Sequence, residues 1–132
     1  MLSKILKPEQ ILVNLNVKNK RHLFQELSTR SSLLNKSIND KILFNDIVKR
    51  ERLGNTSIGN GIAIPSAITG NIIKPFVLFS LLTKPINYNS DDKKDVDIVC
   101  LVVSPNSSIS KHLYFLSNFS RIIKNGNISN DL

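Results

Sequence analysis

Two histidines, one cysteine and one glycine-rich stretch hold most of the reactive or anion-binding chemistry in this 132-residue sequence. The stretch runs Arg50-Glu51-Arg52-Leu53-Gly54-Asn55-Thr56-Ser57-Ile58-Gly59-Asn60-Gly61-Ile62-Ala63-Ile64-Pro65-Ser66 and carries three of the five glycines. Glycines so close together mark backbone that turns sharply or admits a neighbour where a Cβ would intrude. Loops of this kind carry sites more often than stability. As a nucleotide cradle the stretch fails. A Walker A loop needs Lys and Ser/Thr after its second glycine, where Asn60-Gly61 stands, and a dinucleotide fingerprint needs a third glycine where Ile64 stands. His22 and His112 have no HxxxH or HxxE spacing around them, so no metal is expected, nor any cofactor. Cys100 alone excludes a disulfide framework and a cysteine-rich metal site. Ser66 lacks the flanking glycine of a nucleophile elbow and reads locally as a turn residue, although it could meet His112 in space. His112 opens the last expected helix, where it either faces a cleft or caps the helix; the spacing leaves both open.

The elements that must position these residues are legible from periodicity. Pro8-Glu9-Gln10 can open a helical turn, and Ile11, Val13 and Leu15 alternate as a short strand with one apolar face. Asn19 suits the N-cap of a helix from Lys20 to about Ser31, with Leu23, Phe24 and Leu27 as its buried stripe and His22 beside it at the surface. After the connection Leu33–Lys36, Ser37 and Asp40 resemble a capping box for a helix carrying Ile38, Ile42, Leu43, Ile47 and Val48. Gly54 is expected to stop that helix, with Arg50 and Arg52 in a last turn where cations suit the dipole. Ile62-Ala63-Ile64 reads as a strand that Pro65 ends. Phe76–Leu82 and Val96–Val103 read as strands buried on both faces, the second enclosing Cys100 as an inert core thiol. The stretch from Thr83 to Asp95 between them reads as a solvated loop. A helix over Ile109–Lys124 and a short tail close the chain. Strands and helices mix without strict alternation, so the expected fold is one α/β domain over residues 1–132, a mixed sheet flanked by helices.

Composition narrows the function classes. Hydrophobic content of 41% and charged content of 21% suit one globular core. The longest apolar run, Phe76–Leu82, is far short of a membrane span, and the N-terminus lacks a signal-peptide pattern. A cytoplasmic protein without membrane insertion is expected. The net charge of +8 is spread from Lys4 to Lys124 and forms no basic stripe interleaved with aromatics, which argues against a nucleic-acid partner.

The run from Arg50 to Pro65 resembles the signature of the IIA proteins of the bacterial phosphotransferase system, most closely the nitrogen-regulatory branch related to fructose and mannitol IIA domains. In that family an R-E-x-x-G-[ST]-T-G-[IV]-G-x-G-[IV]-A-[IV]-P-H run ends on the phosphoryl-accepting histidine. A second motif, H-L-x-x-L, resembles His112-Leu113-Tyr114-Phe115-Leu116 and implies a supporting role for His112. The resemblance covers essentially the whole chain and implies the fructose/mannitol-type IIA fold.

It also implies a histidine-containing phosphocarrier protein as upstream partner, and regulated targets such as transporters or sensor kinases. Two departures stand out: Ser66 falls where the acceptor histidine belongs, and the family continues past Leu132 with another helix. Serine phosphoesters are far more inert than phosphohistidine, and serine needs an adjacent base to attack. The expectation is therefore a regulatory IIA-like protein that does not take phosphate at the usual position. Arg50, Gly54, Asn55, Thr56, Gly59 and Gly61 would remain as an anion-binding pocket. A working phosphocarrier using His112 or Ser66, and a decaying gene product without activity, are the alternatives. Loss of the last helix is expected to leave a sheet face uncovered, through which copies could associate.

Overall fold

The computed structural model describes residues 7–106 together with Ser117, Asn118 and Arg121, which are helical. The expected last helix, with His112 on it, otherwise lies outside the described residues, as do Met1–Leu6.

The centre of the molecule is an antiparallel pair, β5 (Phe76–Ile86) and β6 (Val96–Pro105), both built from the two longest apolar runs. β1 (Ile11–Leu15) adds parallel to β5, after a 3-10 turn at Pro8–Gln10 whose Gln10 side chain donates to Val77 O at 2.7 Å. On the far side β6 takes two partners end to end. β3 (Ile62–Ala63) pairs parallel with Ile98 and Val99, and β4 (Ser66–Thr69) pairs parallel with Val102 to Pro105. β2 (Ser57–Gly59) pairs antiparallel with β3 at the edge, completing a mixed sheet of six strands.

Two helices, α1 (Lys20–Leu34) and α2 (Asp40–Leu53), cover one sheet face. Leu23, Phe24, Leu27, Leu43 and Ile47 form a cluster there with Leu78, Val99, Leu101 and Val103 of the central strands, each at most 3% exposed. A second cluster holds Ile62, Ile64, Val77, Phe79, Cys100 and Val102, the alternate residues of the same strands, on the other face. Successive strand residues point to opposite faces, so continuous apolar runs are what a sheet buried on both sides requires. On that face all six positions are buried, none above 9% exposed. Only its partly buried margin, Ile11, Ile58, Leu81 and Ile98, departs from this among the described residues.

Local details depart from the sequence reading for identifiable reasons. β1 does not alternate cleanly. The register with β5 shifts between Leu12 and Leu15, Asn14 takes φ 57°, and Val13 is left 63% exposed while Leu12 joins the helix-side cluster. An Asn tolerates the left-handed conformation such an irregularity needs. α1 runs three residues beyond Ser31, to Leu34.

His22 is more than a surface residue: Asn19 Oδ1 accepts its N–H at 2.8 Å, and its Nδ1 accepts Lys18 N–H at 3.1 Å, a reciprocal cap. α2 is capped by Asn39, whose Oδ1 accepts Ile42 N–H at 3.0 Å; Ser37 instead donates its N–H to Asn35 Oδ1. β5 extends to Ile86, opposite Val96, so the solvated loop is shorter than expected and Pro85 lies on an irregular strand end.

Candidate functional site

α2 ends where the glycine-rich stretch begins. Arg50 Nη1 donates to Gly54 O at 2.9 Å, and Gly54 N–H donates to Glu51 O at 3.2 Å. The guanidinium thus satisfies a carbonyl just past the helix end, the dipole-complementing role that position suggested. Gly54 has φ 166°, extended backbone open to any residue, and a Cβ there would touch nothing within 4 Å.

Beyond it, β2 and β3 form a tight hairpin around Asn60-Gly61. Asn60 has φ 57° and Gly61 φ 80°, the pair of positive φ values of a type I′ turn. The hairpin is strapped to the loop before β6. Asp92 Oδ2 accepts Asn60 N–H at 2.9 Å and its Oδ1 accepts Lys94 N–H at 3.0 Å. Gly61 O accepts the N–H groups of Asp97 and Ile98. Those hydrogen bonds from Asn60 and Lys94 hold the Asp92 carboxyl below its ordinary value of 3.8.

The middle of the stretch is held by Glu51. Its carboxylate accepts Thr56 N–H at 2.9 Å and Thr56 Oγ1–H at 2.6 Å, and forms an ion pair with Lys20 Nζ at 2.9 Å. With its proton given to Glu51, the Thr56 oxygen accepts from the Tyr88 hydroxyl at 2.7 Å. Lys20 lies 4.1 Å from the centre of the Tyr88 ring, and Phe24 meets the same ring edge-on at 6.1 Å. Asn55 Nδ2 donates to Tyr88 O and Asn89 O. Burial first, then the adjacent Glu51 carboxylate, push the Tyr88 phenol well above its ordinary value, so it stays a neutral donor. Sequence reasoning passed over Glu51, Lys20, Tyr88 and Asp92. Tyr88 is the one aromatic in a polar stretch, a signal that could have been read as an anchor.

Ser66 is not in a turn. It opens β4 opposite Val102 and is 2% exposed, with the carbonyl of Pro65 accepting Val102 N–H at 3.0 Å. Ile64 and Val102 belong to the second cluster and Ala67 to the helix side, so alternation puts Ser66 on the face away from α1 and α2. No hydrogen bond joins its hydroxyl to a carboxylate or imidazole among the described residues. His112 lies outside them.

The expected anion-binding residues separate into two groups. Arg50, Gly54, Asn55 and Thr56 gather at the end of α2, and Gly59 and Gly61 sit in the hairpin. Ile64 N–H, donating to Thr56 O at 2.9 Å, joins the groups two residues before Ser66. Several donors in the loop are already engaged within the chain: Thr56 N–H by Glu51, Ser57 N–H by Asn55 Oδ1 and Asn60 N–H by Asp92. Among the described residues no three His, Cys, Asp or Glu side chains cluster to hold a metal, and no helix is long and apolar enough to cross a membrane. Cys100 is fully buried, which pushes its thiol well above the ordinary value.

The mixed six-stranded sheet with paired helices on one face is similar to the folds of solved IIA proteins. The structure matches nitrogen regulatory protein IIA-Ntr from Neisseria meningitidis with a TM-score of 0.85 at 24% identity, over 93% of this chain and 84% of that one. It matches IIA mannitol from Escherichia coli with a TM-score of 0.68 at 17% identity, over 86% and 81%. In sequence, a "Nitrogen regulatory protein" of Bradyrhizobium diazoefficiens is 33% identical over 131 residues, 99% of this chain and 85% of the relative. The family described as "Phosphoenolpyruvate-dependent sugar phosphotransferase system, EIIA 2" matches residues 4–132, and the chain belongs to it.

Proposed function

We propose that this protein is a nitrogen-regulatory IIA-type domain that does not take phosphate at the family's acceptor position and works by binding other proteins. The observation that carries the reading is Ser66. It stands where the family motif places its histidine, and it is 2% exposed within a strand. Phosphoryl transfer between carriers needs a nucleophile whose leaving ability lets the group move on. A serine ester lacks it, and a hydroxyl without a neighbouring base is a poor nucleophile.

Descent from a phosphocarrier implies a histidine-containing carrier protein as ancestral donor. The present partners would be regulated targets of the transporter or sensor-kinase kind. The test is Ser66→His, incubated with phosphoenolpyruvate and the upstream carriers of its own organism. Gain of an acid-labile phosphoryl group by the variant, against none on the wild type, supports the reading. An acid-labile adduct on the wild type favours a carrier working through His112, and an acid-stable one favours Ser66 itself.

A further inference from the structure

The outward surface of the helix pair is a groove with a charge imbalance. Near the end of α2 it forms a hollow of about 320 Å³ lined by Lys20, Arg21, Phe24, Val48, Glu51 and Arg52. Lys20 and Glu51 neutralise each other in their ion pair. Arg21 and Arg52 are exposed, and neither has a carboxylate partner among the described residues. The apolar part of the lining is half-buried Val48 together with Phe24, which is 3% exposed. A second hollow on the same helix pair, of about 340 Å³, is lined by Gln25, Thr29, Asp40, Lys41, Phe44 and Asn45, so that Asp40 offsets its one lysine. Arg21 lies over the Phe44 ring at 5.1 Å, at the junction between the hollows. Leu53, next to Arg52, is 83% exposed, and Ile42 is 45% exposed.

We propose that this groove docks an acidic, partly apolar segment of a partner protein, its carboxylates meeting Arg21 and Arg52 and an apolar side chain resting on Val48. This rests on the reading above that the protein acts through protein contacts. Charge complementarity selects the occupant. Guanidiniums pair bidentately with carboxylates, and half-buried Val48 in the same hollow gives an apolar side chain a contact. A second copy of this chain, also carrying +8, is disfavoured by repulsion. Nucleic acid would call for a run of cations at phosphate spacing, and this hollow offers only Arg21 and Arg52 beyond the paired Lys20. The groove lies on the opposite side of the sheet from Ser66. It touches the signature loop through Lys20 and Glu51, which serve both as groove lining and as the clamp on Thr56.

The test is a titration of the ¹⁵N-labelled full chain with a short synthetic peptide of Glu, Asp, Leu and Phe. Controls are the same peptide with Lys for its acids, and with Ala for its Leu and Phe. Expected are amide shifts centred on Arg21, Phe24, Phe44, Val48 and Arg52. Affinity should weaken about tenfold in Arg21→Glu/Arg52→Glu and less than about twofold in the charge-matched Lys93→Glu/Lys94→Glu. Equal loss in both variants, shifts spread over remote lysines, or undiminished binding of the Ala peptide would overturn the proposal. So would duplex DNA that shifts the same amides more strongly than the peptide. Failure here in a protein that also takes no phosphoryl group removes the groove alone. A phosphoryl adduct on a protein that binds the peptide removes the silent-site reading alone.

Discussion

Thr56 gives both its donors to one carboxylate: its N–H reaches Glu51 Oε2 at 2.9 Å and its hydroxyl reaches Oε1 at 2.6 Å. This pair fixes where the signature loop leaves α2, and Lys20 neutralises the Glu51 side chain, which is 9% exposed. Removing one partner of a buried pair leaves the other uncompensated. Glu51→Ala should therefore destabilise the fold by about 2–4 kcal/mol, measured by urea unfolding. Lys20→Met in the Glu51→Ala background should cost much less than Lys20→Met alone, which is the signature of direct coupling.

Tyr88→Phe isolates the end of the hydroxyl chain. It keeps the ring against Lys20 and Phe24 and deletes only the hydroxyl, which donates to Thr56 and lies 3.4 Å from Glu51 Oε1. A loss of about 1 kcal/mol is expected. The Thr56 amide should still exchange slowly, because Glu51 remains its acceptor.

Two glycines of the motif should answer differently to alanine. Gly61 has φ 80°, and a Cβ there would stand 3.2 Å from Asp97 Oδ1 and 3.3 Å from Asp95 O. Gly61→Ala should lose about 1–3 kcal/mol from forced positive φ alone. Gly54→Ala, with extended φ and open space, should stay within about 0.5 kcal/mol of wild type. Thermal melts of the two variants side by side decide it.

Asp92 predicts a pH dependence of the hairpin. Its carboxyl lies below the ordinary value of 3.8 because Asn60 and Lys94 N–H groups bond its charged form. A depressed carboxylate contributes stability that is fully present above the ordinary value and is lost as pH falls through the lower, folded value. Carboxyl chemical shifts followed from neutral to acid pH should show Asp92 protonating below the ordinary value of 3.8, with the Asn60 amide moving in step. Asp92→Asn should abolish that step.

Much of the fold was legible because its strongest signals are long. Phe76–Leu82 and Val96–Val103 could only be buried strands, and the stripes of Leu23, Phe24, Leu27, Leu43 and Ile47 placed both helices. Short elements were decided by neighbours instead. Ser66–Thr69 carries little pattern of its own and is a strand because Val102–Pro105 offers it an edge. Val13 is apolar yet exposed because a bulge at Asn14 moved the register. Asn60-Gly61 was tested for phosphate motifs, although Asn-Gly between β-branched residues is itself the hairpin signal. Of the site, the motif named the loop but not its clamp. The clamp's other members, Lys20 on α1 and Tyr88, are distant in sequence from the loop and joined to it only by the fold.

The central claim is tested most directly by intact-mass spectrometry of the wild-type protein after incubation with phosphoenolpyruvate and the upstream carriers of its own organism. The account predicts an unchanged mass under conditions in which Ser66→His gains one phosphoryl group. A wild-type protein that gains that group would contradict it.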